Sequence, residues 1–397
     1  MRELLSIELA LERILERATV LESEVVPLAD AAGRVLAEPA RAHVDLPPFA
    51  SSAMDGFAVH ADDTPGALPV TFRVAAGHPA SEPLPAGAAA AIATGGAVPD
   101  GADAVVPVER TVEADGLVEI DVEARPGQHV RPQGGDVRTG DVVVDRGARL
   151  SPTQIGALAA VGVADVVCAR RPRVSVVATG SELRAPGETL GPGEIFDSNR
   201  VMIAAVLAAT GALVDLLPVV EDDEDAHRGA LGRALTADVL VTSGGVSMGQ
   251  HDLVRRIEAE LGVEEVFWGV AVKPGKPLSF AVRGRTLVFG LPGNPVSSLV
   301  GSMVFVRPAL LALQGLEDPR PQYQHGLTAI AVRRNPHRDE FVRARRRIED
   351  EATLVEPTAG QESHMIVRAA SADALVHVPR GEGEIPARAP VRYLALD

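Results

Sequence analysis

Two glycine-rich turns, each set between a strand-like run and a helix-like one, constrain this chain more than any other feature. The first, Ser243-Gly244-Gly245-Val246-Ser247-Met248-Gly249, follows the apolar run 239–242. It precedes Asp252 and a helical stripe of Leu253, Ile257 and Leu261. The second, Pro292-Gly293-Asn294-Pro295, follows the run 286–289 and opens a helix-like stretch that includes Ser297. Glycine lets backbone N–H groups approach an anion, and a helix start adds partial positive charge, so strand, glycine turn and helix together make an anion site. Between the turns lies Lys273-Pro274-Gly275-Lys276-Pro277, two cations on a proline-stiffened loop. The combination points to phosphate chemistry. Neither turn is closed by Gly-Lys-Ser/Thr, which argues against an ordinary P-loop kinase or ATPase.

The two turns belong to a longer alternation. Strand-like runs at 174–179, 213–219, 239–242, 266–270 and 286–289 interleave with helix-like runs at 200–210, 223–235, 252–261 and 295–313. This predicts a mainly parallel sheet with helices on both faces, binding ligands outside the carboxyl ends of its strands. Upstream, an amphipathic helix is expected over 7–17 with Ser6 as N-cap. Pro47 and Pro48 mark a boundary, and Asp55-Gly56 reads as a turn dipeptide before a strand. Short strands are expected at 70–74, 104–108, 117–122 and 142–144, then a helix at 151–163 closed by Gly162. After Gln314-Gly315, strands at 327–332, 340–348, 353–357, 374–378 and 391–396 suggest a small barrel or sandwich. Arg343, Arg345 and Arg347 share one strand face at period two and read as a solvated, salt-bridged surface.

Composition narrows the function. A formal charge of −16 on 397 residues opposes nucleic acid and anionic membrane at long range. The single cysteine, Cys168, excludes an intrachain disulfide and a cysteine zinc site, and its apolar setting reads as a buried small hydrophobe. The histidines show no zinc-site spacing. No signal peptide is visible and no apolar run approaches the ~18 residues that span a bilayer, so a soluble cytoplasmic protein is expected.

The acids carry the next step. Glu182, Asp197, Asp222, Asp223 and Asp252 all fall at or just after strand ends of the one expected sheet. Singly, each reads as a helix cap or a solvated charge, and Asn199 likewise reads as a cap. Gathered beside a phosphate-binding turn, carboxylates repel the phosphate unless a divalent cation bridges them, and Mg²⁺ suits one or two carboxylates plus substrate phosphates. Lys273 and Lys276 could neutralise the remaining oxyanion charge. The residues therefore point to Mg²⁺-dependent chemistry on a phosphate or phosphoanhydride.

Several motifs, taken in order, also carry a resemblance. Leu46-Pro-Pro-Phe49, Ser52-Ala-Met-Asp-Gly-Phe-Ala-Val59, Thr94-Gly95, Thr179-Gly-Ser-Glu-Leu183 and Asp197-Ser198-Asn199 are followed by the two glycine turns and the lysine loop. The chain resembles the molybdopterin molybdenumtransferase family, and is similar to the C-terminal part of gephyrin. The resemblance implies an elongated, discontinuous domain I over 1–44 and 141–172. It implies an inserted β-rich, mixed α/β domain II over 45–140, a three-layer α/β molybdopterin-binding domain III over 173–316 and a β-barrel domain IV over 317–397. It implies a homodimer with a cleft between domain III of one subunit and domain II of the other. The implied substrates are molybdate and adenylylated molybdopterin, with Mg²⁺ as cofactor and AMP as product. A molybdopterin adenylyltransferase and molybdoenzyme acceptors are the implied partners.

By the same resemblance, Asp55, Thr94 and Asp136 form the domain II wall of the cleft. Glu182 and Asp252 hold the metal, with Asp222 or Asp223 beside them. Ser198, Asn199, Ser243, Gly244, Gly245, Ser247, Gly249, Lys273, Lys276, Pro292, Gly293, Asn294, Pro295 and Ser297 contact substrate. Two other readings use the same core: an adenylyltransferase-like phosphoanhydride enzyme, and a non-catalytic scaffold or oxyanion sensor. The upstream set of 52–59, Thr94 and Asp136 argues against the first, and the intact acids argue against the second.

Overall fold

The computed structural model describes residues 4–220, 223–244 and 253–396. The chain divides into two compact units, one of residues 25–32 and 36–167, the other of residues 1–24, 33–35 and 168–397.

In the first unit a six-stranded mixed sheet runs in the order Ala104–Pro107, Gly56–Val59, Ala89–Ile92, Gly66–Val74, Leu117–Ile120, Thr111–Ala114. Successive residues alternate between two cores, as strand geometry requires. Phe57, Val59, Ala89, Ala91 and Val106 pack on one face, and Ala58, Ala90, Ile92, Val74 and Val105 on the other. The alanine-rich strand Ala89–Ile92 is not evident in the sequence, because alanine has little strand preference of its own. Gly56 corrects the turn reading: it opens the strand Gly56–Val59, and a Cβ there would lie 2.0 Å from the Val106 carbonyl oxygen. Close backbone approach, not turn conformation, selects this glycine. The helix Pro152–Ala160 forms as expected behind a capping box of Ser151 and Gln154, and Gly162 follows in the left-handed region at φ 82°.

The second unit is built on a sheet in the order Leu213–Leu216, Arg173–Ala178, Val239–Ser243, Thr286–Leu291, Ser279–Arg283, Glu264–Trp268. The first four strands are parallel, as the alternation predicts. The fifth, Ser279–Arg283, is antiparallel to both its neighbours, so the sixth, Glu264–Trp268, runs in the same direction as the first four, in keeping with the reading of 266–270 as a member of a mainly parallel sheet. The reason for the one reversal is local. Gly284 and Arg285 make a two-residue turn, with Gly284 at φ 58°, that folds Ser279–Arg283 back against Thr286–Leu291. Val176, Val241 and Phe289 pack with Ile203, Leu207, Val300 and Val304 on one face. Val177, Leu240 and Val288 pack with Leu231, Val254 and Ile257 on the other, so helices cover both sides.

Ser6 caps the helix Ile7–Leu15 by accepting from the Leu9 N–H at 3.1 Å. The helical stretch Pro295–Leu313, with a π-helical turn at Ser302–Val306, is 19 residues long and apolar enough to cross a membrane by length and composition. Its most apolar window is 89% buried within the fold, the setting of a core helix.

Downstream, Asp339–Glu349, Ala352–Pro357, Gln324–Thr328, Pro390–Ala395 and Ala374–Val378 close into a five-stranded barrel. The last strand pairs back onto the first. Val342, Ala344, Val355, Val376, Val378 and Tyr393 belong to its core. Val272–Lys273 adds in parallel to Asp339 and Glu340. The basic strand is only partly solvated. Arg345 and Arg347 are exposed, but Arg343 is 1% exposed, and this corrects the reading of one solvated face. Its guanidinium donates to the carbonyls of Gly360 (2.6 Å), Met365 (2.8 Å) and Glu362 (3.2 Å). Arginine satisfies several carbonyls at once with its forked donors, which makes such burial tolerable.

Candidate functional site

The site starts from register. Ala178, Ser243 and Leu291 sit side by side on three parallel strands, so all three strands end at one level. The chain leaves that level through Thr179-Gly180, Gly244 and Pro292-Gly293. Gly244 has φ +94°, and a Cβ on it would lie 2.9 Å from the Thr179 carbonyl oxygen. A Cβ on Gly293 would stand 3.9 Å from the Gly244 Cα. The two glycine turns are thus near neighbours, and Gly244 N–H donates to the Leu291 carbonyl at 3.1 Å.

The helix Ser198–Ala208 starts beside them. Asp197 is its cap, accepting from the Arg200 N–H at 3.1 Å and pairing with the Arg200 guanidinium at 2.9 Å. With that role filled, Asn199 does not cap. Its Nδ2 donates to Ser243 Oγ (2.9 Å) and to the Gly293 carbonyl (2.7 Å), joining both turns. Its Oδ1 is buried with no hydrogen-bond partner among the described residues. A buried acceptor without a donor costs on the order of 1–3 kcal/mol, so this oxygen is suited to a ligand or water donor. Ser198 is the half-buried first residue of the helix.

The second turn is fixed from within. Pro295 opens its helix behind Asn294, whose side chain makes no capping bond, and Ser297 is 4% exposed. Ser298 Oγ–H donates to the Pro292 carbonyl at 2.5 Å. Val296 N–H donates to the Ser363 carbonyl at 3.0 Å, which ties the turn to the loop that Arg343 holds. The lysine loop abuts this helix start, since a Cβ on Gly275 would lie 3.7 Å from the Ser297 carbonyl oxygen. Lys273 Nζ pairs with Glu340 at 2.9 Å. Lys276 is exposed, with no acidic partner among the described residues.

The acids divide. Glu182 is exposed and folds over Gly180, where an added Cβ would fall 2.5 Å from Glu182 Oε2. Asp223 is a helix cap, accepting from the Ala226 N–H at 2.8 Å. Asp222, Gly245, Ser247, Gly249 and Asp252 lie outside the described residues. Among those described, no group of three or more His, Cys, Asp or Glu gathers as a metal cage.

In the other unit, Asp55 Oδ1 accepts from the Thr94 N–H (2.7 Å) and the Thr94 hydroxyl (2.9 Å). These bonds hold the Asp55 carboxyl below the usual carboxylate range. Asp55 lines a cavity of about 390 Å³ with Phe57, Val74, Ile92 and Val108. The same cavity is bordered by Arg73 and Glu113, an ion pair that sequence reading misses because nothing in the spacing marks a contact between strands forty residues apart. Asp136 is exposed, and its N–H donates to the Leu46 carbonyl at 2.9 Å. Among the described residues no bond joins it to Asp55 or Thr94. The structure therefore brings together Asp55 with Thr94, and Asn199 with Ser243 and the glycine turns.

Comparison with known proteins covers both units. Residues 5–162 match the family described as MoeA N-terminal region (domain I and II), residues 175–312 a probable molybdopterin binding domain, and residues 326–396 the MoeA C-terminal region (domain IV). A molybdopterin molybdenumtransferase 2 of Mycobacterium tuberculosis is 39% identical over 91% of this chain and 92% of its own length. A molybdopterin molybdenumtransferase of Haemophilus influenzae is 32% identical over 97% and 96%. The crystal structure of a molybdopterin biosynthesis moeA protein from Pyrococcus horikoshii superposes with a TM-score of 0.85 at 27% identity, covering 99% of this chain and 100% of that one. Glycine turns at aligned strand ends, the closed C-terminal barrel and relatives matched nearly end to end agree, and the chain belongs to the molybdopterin molybdenumtransferase family.

Proposed function

We propose that this protein inserts molybdate into adenylylated molybdopterin, hydrolysing the adenylyl phosphoanhydride and releasing AMP. The observation that carries the reading is the junction of Asn199, Ser243, Gly244 and Gly293 at one level of the sheet, with a buried acceptor in its midst that has no partner among the described residues. Backbone brought this close at two glycines leaves room for a substrate's phosphates, and Asn199 Oδ1 can accept from a pterin or ribose donor. Water attacks the adenylyl phosphorus, the bond to the bridging oxygen breaks, and AMP leaves while the pterin phosphate keeps that oxygen. Lys276, exposed and without an acidic partner among the described residues, supplies a cation for the molybdate oxyanion. Lys273, braced by Glu340, supplies a second whose position is fixed.

Mg²⁺ fits the donor set present. Glu182 offers an exposed carboxylate just after a strand end, and Mg²⁺ takes one or two carboxylates together with substrate phosphates. Glu182 and Asp252 are the residues that would hold it. When bound it would neutralise charge on the bridging oxygen. Asp55, fixed by Thr94 and kept ionised, serves as a carboxylate that orients water or substrate. We infer further that a cytoplasmic homodimer is the working form, its cleft combining the Asp55, Thr94 and Asp136 set of one subunit with the glycine turns of the other. A molybdopterin adenylyltransferase supplies the substrate, and apo-molybdoenzymes take the product.

The test is AMP release from adenylyl-molybdopterin with and without molybdate, followed by chromatography. Molybdate-dependent release of one AMP per cofactor is expected, with the rate lowered ~10²–10³-fold in Asp55→Asn. No AMP from the wild-type protein overturns the reading. Mixing inactive Asp55→Asn with inactive Glu182→Gln should restore part of the activity, and an inert mixture removes the shared cleft.

A further inference from the structure

The unit that contains Asp55 holds a second, larger cavity, of about 690 Å³, whose lining includes Arg110, Glu123, Arg125, Gln128 and His129. None of these residues belongs to the site described above. The volume lies within the ~300–1,000 Å³ range of small-molecule sites. On a chain of net charge −16, two arginines and a histidine around one cavity are a local reversal of sign.

The wall carrying Arg125 and His129 is held in place from several sides. Gly127 N–H donates to the Asp103 carbonyl (2.7 Å), Val105 N–H to the Gln128 carbonyl (2.9 Å), and Ala53 N–H to the His129 carbonyl (2.8 Å). The Gln128 side chain accepts from the Arg125 N–H at 3.0 Å. Within this frame His129 sits at φ +53°, left-handed backbone that a histidine adopts at a cost. Such conformations persist where the surroundings over-determine them and cluster at ligand sites.

The charges around the cavity are unequally matched. Arg110 lies 3.6 Å from Asp121, a loose contact with both side chains largely exposed. Arg125 has no acidic partner among the described residues, and Glu123 is the one carboxylate on the lining. Guanidinium forks suit multi-oxygen anions, and the imidazole adds a donor. Pro107, Val122 and Pro126 offer an apolar wall for an organic body. We propose that this cavity is a binding site for a small organic phosphate, its phosphoryl group held by Arg110, Arg125 and His129.

Inorganic pyrophosphate is the probe, titrated into the full-length protein and followed at the His129 ring proton resonance by NMR. His129→Asn, whose side chain tolerates the same backbone, assigns that resonance by its loss. A saturating shift with a Kd below about 1 mM is expected. Arg110→Gln and Arg125→Gln should each weaken it at least about tenfold, as loss of a charge-assisted bond implies. Glu123→Gln should tighten it by removing the opposing carboxylate. Arg171→Gln, an exposed arginine outside the cavity, should leave it unchanged. Absence of a saturating shift, or a shift that survives Arg125→Gln undiminished, overturns the proposal. Because the readout is local to His129, failure of the molybdenum-insertion reading would leave this result standing.

Discussion

Asn199 shows how one side chain can change role once a neighbour takes the expected one. The order Asp197-Ser198-Asn199 offers two cap candidates, and the structure gives the cap to Asp197. That leaves the Asn199 amide to bridge Ser243 and Gly293, which lie 44 and 94 residues away in the chain. Asn199→Ala leaves two acceptors without their donor and should cost roughly 1–3 kcal/mol in urea unfolding. It should also lower AMP release by more than the stability loss explains, since the glycine turns lose their brace. A variant of wild-type stability and wild-type rate would assign Asn199 neither role. Arg343 makes the complementary point. Its run reads as surface by composition, yet position along a strand that passes beneath the 360–365 loop buries it among carbonyls. At this scale the sequence names the polar residue and leaves its partner unspecified, because partners come from distant segments.

At the scale of elements, legibility followed how local the cause was. The helices Ile7–Leu15, Pro152–Ala160 and Glu224–Ala234 were readable because their caps, Ser6, Ser151 and Asp223, lie next to the helices they start. The parallel strands were readable as apolar runs between helical stripes. The alanine strand Ala89–Ile92 and the hairpin strand Ser279–Arg283 were not, because pairing partners rather than composition make them strands. Gly56 belongs here too. Gly56→Ala puts a methyl group against the Val106 carbonyl of the neighbouring strand, which neither backbone can yield without breaking pairs. It should destabilise by several kcal/mol, more than the ~1–3 kcal/mol of ordinary overpacking. Thermal unfolding would measure it, and a shift of only a degree or two would show that the strands slide apart freely.

For the whole molecule, stability has a titratable element in the barrel. His377 is 3% exposed between Tyr323 and Phe341, and its Nδ1 accepts from Arg392 Nε at 2.9 Å. Burial, then the Arg392 charge, push its pKa down from 6.5 to about 4. In the unfolded chain this histidine gains a proton near pH 6.5, while in the folded protein it stays neutral to about pH 4. The folded state is therefore progressively disfavoured as pH falls through that window, by roughly 3 kcal/mol when the fall is complete. Urea unfolding midpoints at pH 7 and pH 5 should differ accordingly. His377→Gln, which keeps an acceptor for Arg392, should flatten the difference; an equal pH slope in both proteins would place its origin elsewhere.

Taken alone, the sequence determined the periodic and the covalent. It set apolar runs of strand length, helical stripes with adjacent caps, glycines where the chain must turn, and an order of motifs specific enough to indicate a family. Those signals are carried by near neighbours, so they survive without a fold. The tertiary structure alone decided which carbonyl Asn199 meets, that the barrel closes on itself, that one of the six strands in the sheet of the second unit, Ser279–Arg283, runs against the other five, and that a cationic cavity forms around His129. Each of these depends on segments tens to hundreds of residues apart, and the energy of bringing them together is not written in any one of them.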